Sequence, residues 1–179
     1  MNWLAVVGYT LVTLISFKSY LKIKTLHVPR SEKFFWLIVS IVLFILIFNK
    51  LLNLQTFFTA LGRCEAQLSG WYDTRKNKQL VIIAILVMLG LVSLIVFSYL
   101  LRNSFKRIWF VLVCFTLKVI FVLVRAVDFH DIDALLRMIV WGWQVNWMFE
   151  HGGIALLVLS ILIANQQYKN LNSISAHKH

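Results

Sequence analysis

The stretch 80-LVIIAILVMLGLVSLIVFSYLL-101 runs for 22 residues without a charge or a proline. As a helix it is about 33 Å long at 1.5 Å per residue, and about 20 apolar residues already cross a bilayer core roughly 30 Å thick. It reads as a transmembrane helix, and four further apolar runs lie around it. They are Trp3 to Phe17, Phe34 to Phe48, Trp109 to Val127 and Trp147 to Ala164. The first two cores are short. Each must borrow flanking residues, the first through Tyr20 by lysine snorkelling and the second into Asn49-Lys50. The whole chain is 60% hydrophobic with one proline in 179 residues, against about 45–50% apolar in soluble domains. The expected fold is an all-α integral membrane protein, a five-transmembrane-helix bundle forming one helical membrane domain over residues 1–179.

Working outward, the connection before Leu80 is unusual: 49-NKLLNLQTFFTALGRCEAQLSGWYDTR-75. It is too polar to be a span and too long to be a turn. At helical spacing Leu51, Leu54, Phe57, Phe58, Leu61 and Leu68 share one side, with Asn49, Asn53, Thr56, Arg63 and Gln67 on another. That pattern predicts an amphipathic helix on the outer face between spans two and three. Gly70 suits its end, and Trp71-Tyr72 is an aromatic pair of the kind found at headgroup depth.

The net charge of +11 does not point to nucleic acid, because the basic residues punctuate apolar runs instead of forming a patch. They orient the chain instead. Lys18, Lys22, Lys24, Arg30, Lys33, Arg102, Lys106, Arg107, Lys169 and Lys178 fall on one side, ten bases against the single acid Glu32. The other side holds seven bases, Lys50, Arg63, Arg75, Lys76, Lys78, Arg125 and Arg137, with six acids. The positive-inside rule counts Lys and Arg, so the ten-base side is predicted cytoplasmic, with the N-terminus outside and the C-terminus inside. The N-terminal MNWLAVVGY lacks the positive n-region of a cleavable signal, which suits a retained first helix. Two cysteines, Cys64 and Cys114, give neither a disulfide framework nor a CxxC pair.

This topology gathers the unusual polar residues on the outer face. Asn49, Asn53, Arg63, Gln67, Tyr72, Arg75, Arg125 and Asn146 are the candidate ligand-binding set, with the arginines suited to bidentate contacts with phosphate or carboxylate. Lys118 falls near mid-bilayer, on the same helix face as Arg125 seven residues later, with Asp128 one turn beyond. An unpaired charge at that depth costs at least about 2.5–3.5 kcal/mol. Lys118 is therefore expected to face the bundle and find a carboxylate or carbonyl, or to snorkel. His130, Glu150 and Asp128 are the catalytic candidates if the chain is an enzyme, with His130 or Glu150 as general base and Asp128 orienting His130. His130 and His151 are candidate metal ligands by residue type, although no HExxH, HxxxH or HxH spacing accompanies them. Haem would want two histidines well inside the spans, and these lie at the edge; the sequence names no cofactor.

The motifs NK-LLNLQ-x4-ALGR, GWYDTRK, RAVDFHDID and NWMFEHGGI together resemble small bacterial inner-membrane proteins, over roughly Asn49 to Gly153. That resemblance implies architecture and a bacterial inner-membrane setting, and no activity. Membrane hydrolases of the alkaline-ceramidase type carry D-x3-S-x2-F-H in one helix and H-x3-H in another. Phe129-His130 matches the end of the first motif, but Val122 and Ala126 occupy its Asp and Ser positions, and Trp147 stands where a histidine would precede His151.

Three function classes follow from these residues. The leading one is a binding or accessory protein holding a lipid headgroup, an anionic small ligand or a membrane protein partner, including a second copy of the chain. The second is an enzyme, a hydrolase or transferase acting on a lipid-linked substrate. The third is a structural subunit of a larger membrane complex. Nucleic acid is not among the expected partners; the lipid bilayer is.

Overall fold

The computed structural model describes residues 3–26, 28–54, 75–126, 138–140 and 143–176, together with residues 57, 60, 61, 64 and 68. Its long helices are α1 (Trp3–Lys24), α2 (Arg30–Leu51), α3 (Arg75–Leu100), α4 (Phe105–Ala126) and α5 (Val145–Ala176). Among the described residues, these five helices are long and apolar enough to cross a membrane. The fold is the all-α membrane bundle that the apolar runs predict. α1 and α2 each reach 22 residues, because the lysine-rich flanks continue the helices beyond their short apolar cores.

α1 and α2 form a hairpin. Pro29 precedes α2 with φ −53°, a position that needs no backbone N–H, and its carbonyl accepts from Glu32 N at 3.1 Å. The two helices approach through small residues: the hydroxyls of Ser40 and Ser16 meet at 3.2 Å, and Ser40 Oγ also donates to Trp36 O at 2.8 Å. Such residues let helix backbones come close where lipid gives no hydrophobic drive to association. α5 packs on α1 and on α4, and α3 packs on the far side of α4. A Cβ added to Gly8 of α1 would lie 3.2 Å from Ile154 of α5, and one added to Gly90 of α3 only 2.3 Å from Ile120 of α4. These two glycines set the close contacts.

The core belongs to α1, α2, α4 and α5, with Tyr9, Phe35, Trp36, Ile108, Leu157 and Tyr168 among its buried residues. α3 is peripheral, and none of the residues in its apolar window is buried. Its sequence is apolar all round, so every face suits lipid, and Phe97 meets Phe35 at 6.1 Å where it touches the bundle.

After α2 the chain turns at Leu52 and Asn53. Asn53 has φ 51°, a left-handed conformation that asparagine tolerates better than other side-chain-bearing residues. Leu54, Phe57, Ala60, Leu61, Cys64 and Leu68 follow in helical conformation, and Phe57, Leu61 and Leu68 are exposed. The rest of the expected amphipathic segment, including its polar stripe, lies outside the described residues. A two-residue antiparallel hairpin, β1 (Ile139–Val140) with β2 (Trp143–Gln144), leads directly into α5. No turn or strand pattern in the residues announces it. Val145 N donates to Met138 O at 3.0 Å, so the hairpin supplies a partner for one of the free N–H groups that open α5.

Alternating helix directions create two ends. α1 and α5 begin, and α2 and α4 finish, at the Glu150 end. The α1–α2 turn, the α3–α4 turn and the later part of α5 gather at the Glu32 end.

Candidate functional site

Helix ends carry partial charge, positive at the N-terminus and negative at the C-terminus. At the Glu150 end α2 and α4 match this electrostatic pattern, and α5 brings an acid close behind its first turn. Lys50 lies in the last turn of α2 and Arg125 in the last turn of α4, while Glu150 lies in the second turn of α5. The three side chains meet. Lys50 Nζ stands 2.5 Å from Glu150 Oε1, and Arg125 Nη1 donates to Glu150 Oε2 at 3.4 Å. The Glu150 side chain is nearly fully buried, whereas those of Lys50 and Arg125 are 17% and 29% exposed.

A third cation joins from deeper in the bundle. Lys118 lies two turns before the end of α4, roughly 12 Å along it. It is 3% exposed, and its ammonium donates to the main-chain carbonyl of Glu150 at 2.9 Å. The same ammonium lies 5.2 Å from the ring centre of Tyr9 and 5.3 Å from that of Phe121, close enough for cation–π attraction. Gly153 makes room for it: a Cβ there would lie 3.3 Å from Lys118 Cδ and 3.4 Å from Nζ. The inward Lys118 expected from its depth is present, and its partner is a carbonyl. Among the described residues, the cluster sets three cations around Glu150, two on its carboxylate and one on its main-chain carbonyl.

Lys118 also lines a groove of about 760 Å³ between α4 and α5. Its walls are almost wholly apolar, including Leu117, Phe121, Met148, Phe149 and Leu156, and Phe121 stacks on Phe149 at 6.0 Å. Gly152 opens it: nothing lies within 4 Å of where a Cβ would stand. Cys114 borders the groove one turn from Lys118.

The other expected site residues are distributed unevenly. Asn49 is half-buried one residue before Lys50, and Asn53 is exposed at its turn. Asn146 is half-buried in the first turn of α5, and its Oδ1 has no hydrogen-bond partner among the described residues. His151 Nδ1 lies 3.0 Å from Trp147 O, and the ring stacks on Trp147 at 5.2 Å. A carbonyl only accepts, so the proton belongs on Nδ1, which leaves the lone pair on Nε2. No group of three metal-ligating side chains occurs among the described residues. Arg63, Gln67, Tyr72, Asp128 and His130 lie outside the described residues, as does the side chain of Arg75. Of Arg63 and Arg125, the described contacts therefore include those of Arg125 alone. Lys50, which the sequence had put on this face without a binding role, makes the bridge from α2.

The Glu32 end holds a second buried cluster that sequence reasoning missed. Glu32 has no exposed surface. The Tyr168 hydroxyl donates to its Oε1 and accepts from Trp36 Nε1 at 3.1 Å. Ser104 Oγ donates to Oε2 at 2.5 Å, and Arg107 Nη2 donates to the same oxygen at 3.2 Å. The Arg107 guanidinium also covers the Tyr168 ring at 5.8 Å. α2, the single turn of 3-10 helix at Arg102–Ser104, α4 and α5 are all joined through one carboxylate. The available signal was Glu32 itself, the one acid among ten bases, with Trp36 one turn later on the same face.

Comparison of the chain with protein-family models, with curated proteins and with solved structures gives no match in any of the three.

Proposed function

We propose that this membrane protein binds an anionic ligand, through phosphate or carboxylate oxygens, at the Glu150 end. The observation that carries the reading is the charge balance among the described residues there: Lys50 and Arg125 on the carboxylate of Glu150, with Lys118 on its main-chain carbonyl. Burying like charges together is costly unless an anion offsets them, and Lys50 and Arg125 keep part of their surface free to meet one. In this reading Asn49 and Asn146 orient the ligand by donating from their side-chain amide N–H groups, and Arg63, Gln67, Tyr72 and Arg75 of the neighbouring connection complete the site. The protein would sit in a bacterial inner membrane with this end outward, in keeping with the ten-to-seven bias of basic residues.

The binding reading is favoured over an enzyme because both Glu150 oxygens are already engaged, one by Lys50 and one by Arg125. The test is thermal unfolding of the purified full chain in detergent, with inorganic phosphate or phosphatidylglycerol added. Stabilisation by either that is lost in Arg125→Gln supports the proposal. If neither anion stabilises the wild type, or Arg125→Gln responds as the wild type does, the reading is wrong.

A further inference from the structure

We infer that the groove between α4 and α5 seats one hydrocarbon chain of an anionic membrane lipid, with the acidic headgroup held by Arg125 and Lys50. This rests on the anionic-ligand reading above and narrows it from any anion to one that carries a chain.

Length is the first argument. On α4 the groove runs from Cys114 to Val124, and on α5 from Val145 to Leu156. At 1.5 Å per residue these stretches are roughly 15 and 16 Å long. Half of a hydrocarbon core about 30 Å thick is about 15 Å. The groove thus begins at the helix ends around Glu150 and stops near mid-span, one leaflet deep. A soluble anion has no use for such a depth of apolar wall, and a lipid chain of that leaflet does.

Volume and chemistry agree with this occupant. About 760 Å³ lies within the roughly 300–1,000 Å³ typical of ligand sites. The walls are aliphatic and aromatic side chains, and the one charge among them, Lys118, is occupied by the Glu150 carbonyl and two rings. The lysine stem therefore offers methylenes to a chain, while the cations available to a headgroup are Arg125, next in sequence to the lining Val124, and Lys50, joined to Arg125 through Glu150. Charge complementarity selects an acidic head over a zwitterionic one, since a choline group would meet those cations with like charge. Gly152 governs access: with no atom within 4 Å of a would-be Cβ, a larger side chain there would occupy the groove and disturb no packed neighbour.

Native mass spectrometry of the full chain in detergent tests this, comparing phosphatidylglycerol with phosphatidylcholine of the same chains. Thermal stabilisation by inorganic phosphate serves as the chain-free arm. The wild type is expected to retain one phosphatidylglycerol at least tenfold more tightly than phosphatidylcholine. Gly152→Leu should weaken phosphatidylglycerol at least tenfold and leave any response to phosphate unchanged. Leu156→Trp fills the groove from its exposed wall and should do the same, which guards against a folding defect in the first variant. If both groove variants bind phosphatidylglycerol as the wild type does, or phosphatidylcholine binds equally well, the lipid assignment is overturned. A phosphate response that still depends on Arg125 would then leave the anionic-ligand reading standing alone. If neither phosphate nor phosphatidylglycerol responds to Arg125→Gln, both proposals fall together.

Discussion

Replacing Tyr168 by Phe removes one hydroxyl from the Glu32 end and leaves two fully buried groups each short of a partner. That hydroxyl donates to Glu32 Oε1 and accepts from Trp36 Nε1, and neither Glu32 nor Trp36 has exposed surface. Phe occupies the same ring space, so the Arg107 stacking can persist and the loss is confined to hydrogen bonding. The Trp36 bond joins neutral groups inside a membrane bundle, where such bonds average about 0.6 kcal/mol. The Glu32 bond is to a carboxylate and is worth about 1.5–3 kcal/mol. The second term dominates, and the expected loss is about 2–4 kcal/mol in all. At about 2–4 °C per kcal/mol for a chain of this length, the melting temperature in detergent should fall on the order of 5–15 °C. A double-mutant cycle with Trp36→Phe checks the assignment. Trp36→Phe removes the orphaned indole N–H, so the two losses should add to less than their sum. A Tyr168→Phe protein within about 0.5 kcal/mol of wild type would mean that the hydroxyl does not tie α5 to Glu32, and the account of this cluster would be wrong.

Two further outcomes follow from the Glu150 end and from the chain order. Glu150→Gln leaves Lys50 and Arg125 without their carboxylate and should cost about 3 kcal/mol, the low end for a broken buried pair because both cations are partly exposed. Lys118→Met should stay within about 1 kcal/mol of wild type, since the Glu150 carbonyl keeps its bond within α5; thermal unfolding in detergent that ranks these two variants the other way contradicts the assigned contacts. For the topology, single cysteines at Asp73 and Asn103, in a chain lacking Cys64 and Cys114, should react with an impermeant maleimide from opposite faces of oriented vesicles. Labelling from one face would break the five-span order.

The five spans were legible because a bilayer imposes one demand that composition alone can meet, about 20 apolar residues per helix. Lateral order was not legible for the same reason. α3 is apolar all round, so nothing in Leu80–Leu101 says which face meets α4; Gly90 marks that face only once Ile120 is seen against it. In α1 and α2 the informative residues are small or polar ones turned inward. Ser16, Ser19, Ser40 and Glu32 are buried, while Leu11, Leu14, Phe44 and Ile45 face outward. A soluble-protein habit of turning leucine inward would assign those faces backwards, because the surrounding lipid is as apolar as leucine.

Depth and charge together made the inward turn of Lys118 legible, whereas a main-chain carbonyl carries no side-chain signature to announce it as the partner. Glu32 depends on Tyr168, which stands 136 residues away, and such a pairing emerges only when α5 is laid against α2. The two buried carboxylates then show why the ends of the bundle differ. At the Glu32 end one guanidinium balances one carboxylate, and two hydroxyls saturate its oxygens. Within that buried cluster the two charges cancel, and it works as a clasp. Among the described residues at the Glu150 end, two cations share one carboxylate and a third meets the main-chain carbonyl of the same residue, with the apolar groove between α4 and α5 beside them. The clasp ties α2, α4 and α5 together at the Glu32 end whatever fills the groove at the other. For the lipid proposed above, entry is lateral: its chain comes between α4 and α5 from the same leaflet while its headgroup stays at the depth of Arg125 and Lys50.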